Sequence, residues 1–176
     1  MTHLKLLVFF VAAIISGTSS ASHYKIDTQL LVHLKQARKT PGKKISIGRG
    51  RTVHFMKNTF FSKALDKKSG FLIEDLGRGQ QNILAVDRQG APQFHARISA
   101  DGGVHYVGRS LIWDSAGDRQ ATFRNALGAG TISDGKVQHP DPFFAQVTIL
   151  EMRDHLNEFQ LSAKGETGLY RKADEK

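Results

Sequence analysis

Hydrophobic and polar positions alternate most regularly between Asn82 and Trp113. Phe94, Ala96 and Ile98 occupy one parity and His95, Arg97 and Ser99 the other, the period of a strand with one buried face. Asp87-Arg88-Gln89-Gly90 and Ser99-Ala100-Asp101-Gly102-Gly103 interrupt the pattern with the Asp and Gly that tight reversals use. This run predicts three consecutive antiparallel strands. Upstream, Leu30, Leu31, Leu34 and Ala37 share one side of a helix over 29–39, capped by Asp27 or Thr28 and stopped by Thr40-Pro41-Gly42. Ile45, Ile47, Val53 and Phe55 are spaced as strand residues around Gly48 and Gly50, which mark a hairpin turn or bulge. Phe71-Leu72-Ile73 is a further strand, joined to the meander through Gly77-Arg78-Gly79. Beyond Trp113 the turn at Asp114–Asp118 leads back into Gln120–Arg124. Gly128, Gly130 and Gly135 mark loops, and His139-Pro140-Asp141-Pro142 forms a corner. The pattern reads Phe143–Leu150 as a buried strand, 151–158 as a short helix and Phe159-Gln160-Leu161 as a last strand. The expected fold is α+β: a twisted antiparallel sheet or small open barrel packed on one N-terminal helix.

The first 21 residues carry Lys5, an apolar run from Leu6 to Ile15, and small residues at Ser19 and Ala21. They read as a secretory signal peptide cleaved near Ala21, too short for a stable membrane anchor. Residues 22–176 are then one β-rich globular domain of a secreted protein. With no cysteine, the chain has neither a lipid-anchor site nor a disulfide framework. Charge is distributed unevenly. Nine basic residues and no acidic one lie between Thr28 and Leu65, whereas outside this segment, Lys5 apart, 15 basic residues face 16 acidic ones. A segment so one-sided draws polyanions, and Lys43, Lys44, Arg49 and Arg51 are its candidate phosphate contacts. A solvated, solubilising face is the competing explanation.

The second hairpin of the meander holds the candidate chemistry. If Ile98 pairs with Val104, Arg97 faces His105, and His95, Arg97 and His105 share one face. A guanidinium flanked by two imidazoles suits a phosphate group, with one imidazole as general acid. A shift of one residue in the pairing separates them. The histidines show no HxH or HxxxH spacing, so no metal site is expected, and no cofactor motif is present.

Tyr24, the helix over 29–39, Gly79-Gln80-Gln81-Asn82-Ile83-Leu84, the turn at Asp87–Gly90 and His105-Tyr106-Val107-Gly108 resemble the secreted ribonuclease-like effectors of fungal plant pathogens. The resemblance covers about half the chain. It implies the fold of the small guanyl-specific ribonucleases, with Glu74 as base, Arg97 on phosphate and His105 as acid. The chain departs from that family in three ways. The expected arginine position falls near Asn82, the family's disulfides are missing, and 67 residues follow Arg109. These departures favour a non-catalytic effector that binds RNA, another polyanion or a host protein, and leave uptake into a host cell open. Locally, Ser99-Ala100-Asp101-Gly102 with Tyr106, Trp113, Gly117 and Ala121 is similar to the C-type lysozyme inhibitors, secreted or periplasmic β-barrels. Ala116 stands where their inhibitory lysine is expected.

Overall fold

The computed structural model describes residues 24–59, 69–116 and 120–166, with side chains through residue 164. The expected signal peptide, Lys63 and Gly117 lie outside the described residues. Ten antiparallel strands follow one another in sheet order without a crossover: β1 (Ile45–Ser46), β2 (Thr52–Lys57), β3 (Gly70–Gly77), β4 (Gln80–Val86), β5 (Pro92–Ile98), β6 (Val104–Val107), β7 (Leu111–Ser115), β8 (Gln120–Asn125), β9 (Gly128–Ser133) and β10 (Lys136–Gln138). Among the described residues β1 and β10 do not pair, so the sheet is open rather than a closed barrel. Its two faces are covered by different helices.

Helix α1 is short, a 3-10 turn over Gln29–His33 continuing into one α turn, Leu34–Ala37. It covers the β2–β4 end of one face, where Leu30 and Ala37 pack with Val53, Phe55, Leu72, Leu84 and Val86. The long helix α2, Pro142–Glu166, lies across the other face. Its buried positions Ala145, Ile149, Met152 and Phe159, with half-buried Leu156 and Ala163, recur every three or four residues. They rest on Phe71, Phe94, Tyr106, Trp113 and Phe123. Each large side chain so buried contributes roughly 1.5–3 kcal/mol.

The α+β class and the antiparallel sheet agree with the sequence pattern, but the placement of the helices does not. The principal helix is C-terminal, and Phe143–Leu150 and Phe159–Leu161 are helical rather than strands. Val147, Thr148 and Ile149 favour strands locally. Burial of one stripe, together with a helix start at the Pro-rich corner, overrides that preference. Asp141 accepts a hydrogen bond from the Phe144 amide at 2.9 Å, and Pro142 takes the first helical position. His139 accepts from the Asp141 amide at 2.9 Å and donates from Nε2 to Asn125 at 3.0 Å, tying the helix start to β8.

Two further differences concern turns. Residues 82–113 hold four strands, because the chain reverses again at Gly108–Ser110, where the Gly108 amide bonds the Leu111 carbonyl. Gly128 and Gly130 lie within β9 rather than in loops. At Gly130 a Cβ would come within 2.3 Å of the Phe123 ring, so a glycine there lets the ring lie flat on the neighbouring strand.

Candidate nucleic-acid interface

The register of the sheet builds the site. Glu74 on β3 opposes Asn82, Asn82 opposes Arg97, Arg97 opposes His105, and His105 opposes Asp114 on β7. Side chains directly opposed across an antiparallel ladder share a face, so these five form one polar row over β3–β7. Ile98 pairs with Val104 as the hairpin pattern requires, which puts His95, Arg97 and His105 on one face and Phe94, Ala96 and Tyr106 in the opposite core. Helix α1 covers only the β2–β4 end of this face. Arg97, His105, Asp114, Thr122, Arg124 and Thr131 beyond it are exposed.

Where the covered end meets the open end there is a cleft of about 400 Å³. Asp27, Gln29 and Leu30 line its outer wall, and Arg51, Glu74, Asn82, His95 and Arg97 line its floor. Glu74 is only 1% exposed. Its carboxylate accepts hydrogen bonds from Arg51 and from the Asn82 amide, the latter at 2.9 Å. Burial alone pushes the Glu74 carboxyl up. The hydrogen bonds from Arg51 and Asn82 and the charges of Arg51 and Arg97 outweigh it and hold the group below the usual carboxylate range. Glu74 is therefore an occupied structural anion.

Asn82 passes this order along the row: its Oδ1 accepts from Arg97 Nε at 3.0 Å. That contact fixes the guanidinium plane while the two terminal nitrogens make no hydrogen bond to described residues, leaving a fork of donors facing solvent. On one side of Arg97 stands His95, 8% exposed. Burial pushes its imidazole below the ordinary histidine range; Asp27 and Glu74 pull the other way, while His105 and Arg97 add to the effect of burial. On the other side, His105 Nδ1 lies 2.5 Å from Asp114 Oδ1, an ion pair once the ring is protonated. The carboxylate orients the ring and leaves Nε2 free.

The expected residues separate into two groups. Arg51, Glu74, His95, Arg97 and His105 come together on the row and its cleft. Glu74 and His105, however, are three strand spacings apart, about 14 Å at roughly 4.8 Å per strand. That span is too wide for a base and an acid acting on one phosphoryl group. Strands β4 and β5, which carry Asn82 and Arg97, lie between them. Lys43, Lys44 and Arg49 sit outside the cleft, in the approach to β1 and at the tip of the β1–β2 turn. Lys44 is paired with Asp75 at 3.5 Å, and Arg51 with Glu74. Arg38 is held inward, donating to the Asp87 carbonyl at 2.7 Å and lying 5.5 Å from the Phe55 ring centroid. Lys35, Lys39, Lys43, Arg49 and Lys57 remain exposed, on α1, β2 and the segment joining them. Part of the charge of this segment is thus answered by carboxylates from β3.

Asn82 and Asp114 were not singled out as site residues by sequence reasoning. Their signal was present in the strand parity of β4 and β7, once the turn at Gly108–Ser110 is recognised. Ser99, the loop serine in the lysozyme-inhibitor resemblance, donates its hydroxyl to Asp101 within its own turn. Among the described residues no cluster of three or more His, Asp or Glu side chains is placed to hold a metal ion, and no helix is long and apolar enough to cross a membrane. No family model, curated protein or solved structure matches this chain.

Proposed function

We propose that this protein is an exported, effector-type binding protein that holds RNA on the open face of its sheet. Arg97 is the central phosphate contact, and the exposed cations of the β1 edge attract the rest of the strand. The observation that supports this best is the Arg97 guanidinium, fixed at Nε by Asn82 and unfilled at its terminal nitrogens beside two imidazoles. A planar fork held open in this way matches two oxygens of a phosphodiester. Lys35, Lys39, Lys43 and Arg49 add a sequence-independent attraction that salt weakens. The export address at 1–21 and the partial ribonuclease-like pattern support an extracellular or host-directed role. The test is fluorescence anisotropy of a labelled single-stranded RNA with the wild type and Arg97→Ala. Tight binding at low salt that the substitution weakens by about 10- to 150-fold agrees with the reading, since a charge-assisted contact contributes about 1.5–3 kcal/mol. Absence of RNA binding at low ionic strength contradicts it.

A further inference from the structure

The side of α2 that faces away from the sheet has an order of its own. Phe143, Val147, Leu150, Asp154, Asn157 and Leu161 recur at alternating steps of four and three, the spacing of a heptad seam. Each lies two residues before or after a member of the buried stripe formed by Ala145, Ile149, Met152, Leu156 and Phe159. Two residues turn a helix by about 200°, so the second stripe runs along the opposite side. It is about 27 Å long at 1.5 Å per residue. Phe143 is 77% exposed, Leu150 55% and Val147 46%. Large apolar side chains gathered in this way on one outer turn mark an interaction surface. From Val147 onwards the stripe borders a groove of about 870 Å³, where Val147, Leu150 and Leu161 meet the carboxylates of Glu151, Asp154 and Glu158.

Those carboxylates decide what fits there. Among the described residues none of the three forms an ion pair. Glu151 accepts from the Ser110 hydroxyl at 2.6 Å and Glu158 from the Asn58 amide at 3.2 Å, both neutral donors. Burial pushes the Glu158 carboxyl above its ordinary range; the Asn58 hydrogen bond opposes this, and the Asp154 charge adds to it. Negative charge is thus crowded along one groove of a chain whose net charge is +9. Symmetric pairing of two copies through the stripe would lay acidic groove on acidic groove, so like charges oppose it. We infer that this side of α2 docks an amphipathic helix of another protein, one with Lys or Arg beside its apolar stripe. Its apolar residues seat on Phe143, Val147 and Leu150, and its cations meet Glu151, Asp154 and Glu158. Asp154 stands in the stripe itself, so the partner needs a cation at that level, a polar contact of the kind that fixes register. The surface lies on the opposite side of the sheet from Arg97 and does not depend on RNA binding.

The probe is a fluorescent helical peptide of three heptads, with leucine at a and d except for one central lysine at a, and lysine at e and g. Its own lysines disfavour self-pairing. One control peptide carries glutamate in place of every lysine, and another has the same composition in scrambled order. Anisotropy titrations with the purified protein should show saturable binding of the lysine peptide, with both controls weaker by about tenfold or more. Leu150→Asp should weaken binding by about tenfold or more, as should Glu151→Lys combined with Asp154→Lys, the scale of central interface residues. All three positions are exposed, and unchanged melting temperatures verify that the variants fold. Absence of binding, equal binding of the scrambled peptide, or binding that the helix variants leave unchanged overturns the inference. Sedimentation that finds a dimer which Leu150→Asp dissociates also overturns it, by giving the surface to a second copy of this chain.

Discussion

Replacing Glu74 by glutamine removes one charge and almost no volume, which makes it a sensitive probe of how the polar row is held. The Glu74 carboxylate accepts from Arg51 on one oxygen and from Asn82 on the other. An amide can still accept from Arg51, but its NH2 group then meets the NH2 of Asn82, two donors face to face. If Asn82 turns over to relieve that conflict, its oxygen leaves Arg97, whose Nε hydrogen bond is lost as well. Without that turn a buried donor stays unpartnered, at about 1–3 kcal/mol; with it the donor left over is on exposed Arg97 and regains water, and in both cases the charge assistance to Arg51 disappears. Arg51 is 47% exposed and regains water, so the cost stays below that of a fully buried broken pair. The expected loss is about 2–4 kcal/mol. With an m-value of about 2 kcal/mol per molar urea, the midpoint should fall by about 1–2 M. The effect should also depend on pH with a definite sign. Because the Glu74 pKa is lowered on folding, its contribution is present above the ordinary carboxylate range and is lost as pH falls through the lowered value. Urea melts of wild type and Glu74→Gln at neutral pH and near about pH 3 test this. A midpoint unchanged at neutral pH would refute the reasoning, as would a gap that widens in acid.

Other consequences follow from the two cores. Gly130→Ala places a methyl against the Phe123 ring and should lower stability by about 1–3 kcal/mol in thermal melts. Asp141→Ala removes the cap of α2 and should cost about 1 kcal/mol, with Asp141→Asn or Asp141→Ser losing much less. His155 stacks on Phe94 with ring centroids 5.0 Å apart and shares a 2.7 Å hydrogen bond with the Tyr106 hydroxyl. Burial pushes its pKa below the ordinary histidine value, against an opposing pull from Glu151 and Asp154. The unfolded chain therefore binds that proton first, and stability should fall as pH drops below about 6.5, by up to about 1.4 kcal/mol per pH unit for one proton. Melts between pH 7.5 and 5 should show a shallower decline for His155→Phe, which keeps a ring but cannot charge.

The sequence exposed the sheet better than the helices, for physical reasons. Alternation over 92–99 reports directly which side chains share a face, and a hairpin closed by Ser99–Gly103 leaves one sensible register. His95, Arg97 and His105 were legible together for that reason. The strand count was harder to read, because Gly108-Arg109-Ser110 carries a turn without the Asp-Gly pair that announces the others. Helix α2 was hidden by its own composition. Phe143, Val147 and Leu150 are exposed, so the first turns are apolar on the outside as well as on the buried stripe and the run 143–150 reads as continuous. The three-and-four spacing of Ala145, Ile149, Met152, Leu156 and Phe159 carried the correct signal. Glu74 was picked out as reactive, but only the pairing of β3 with β4 reveals that Asn82 and Arg51 occupy its carboxylate. Charge counts along the chain likewise missed that Asp75 and Glu74, distant in sequence, return to meet Lys44 and Arg51.

The claim beneath all of this is that a phosphate-bearing strand lies on the open sheet face, gripped by Arg97 and drawn in by the cations of the neighbouring edge. It is tested most directly by titrating RNA affinity against salt for the wild type and Arg97→Ala. Four or five phosphate contacts on a single strand predict a log–log slope of about −3, and loss of Arg97 should make it shallower by about 0.7. A slope near zero, or one that Arg97→Ala leaves unchanged, contradicts the account.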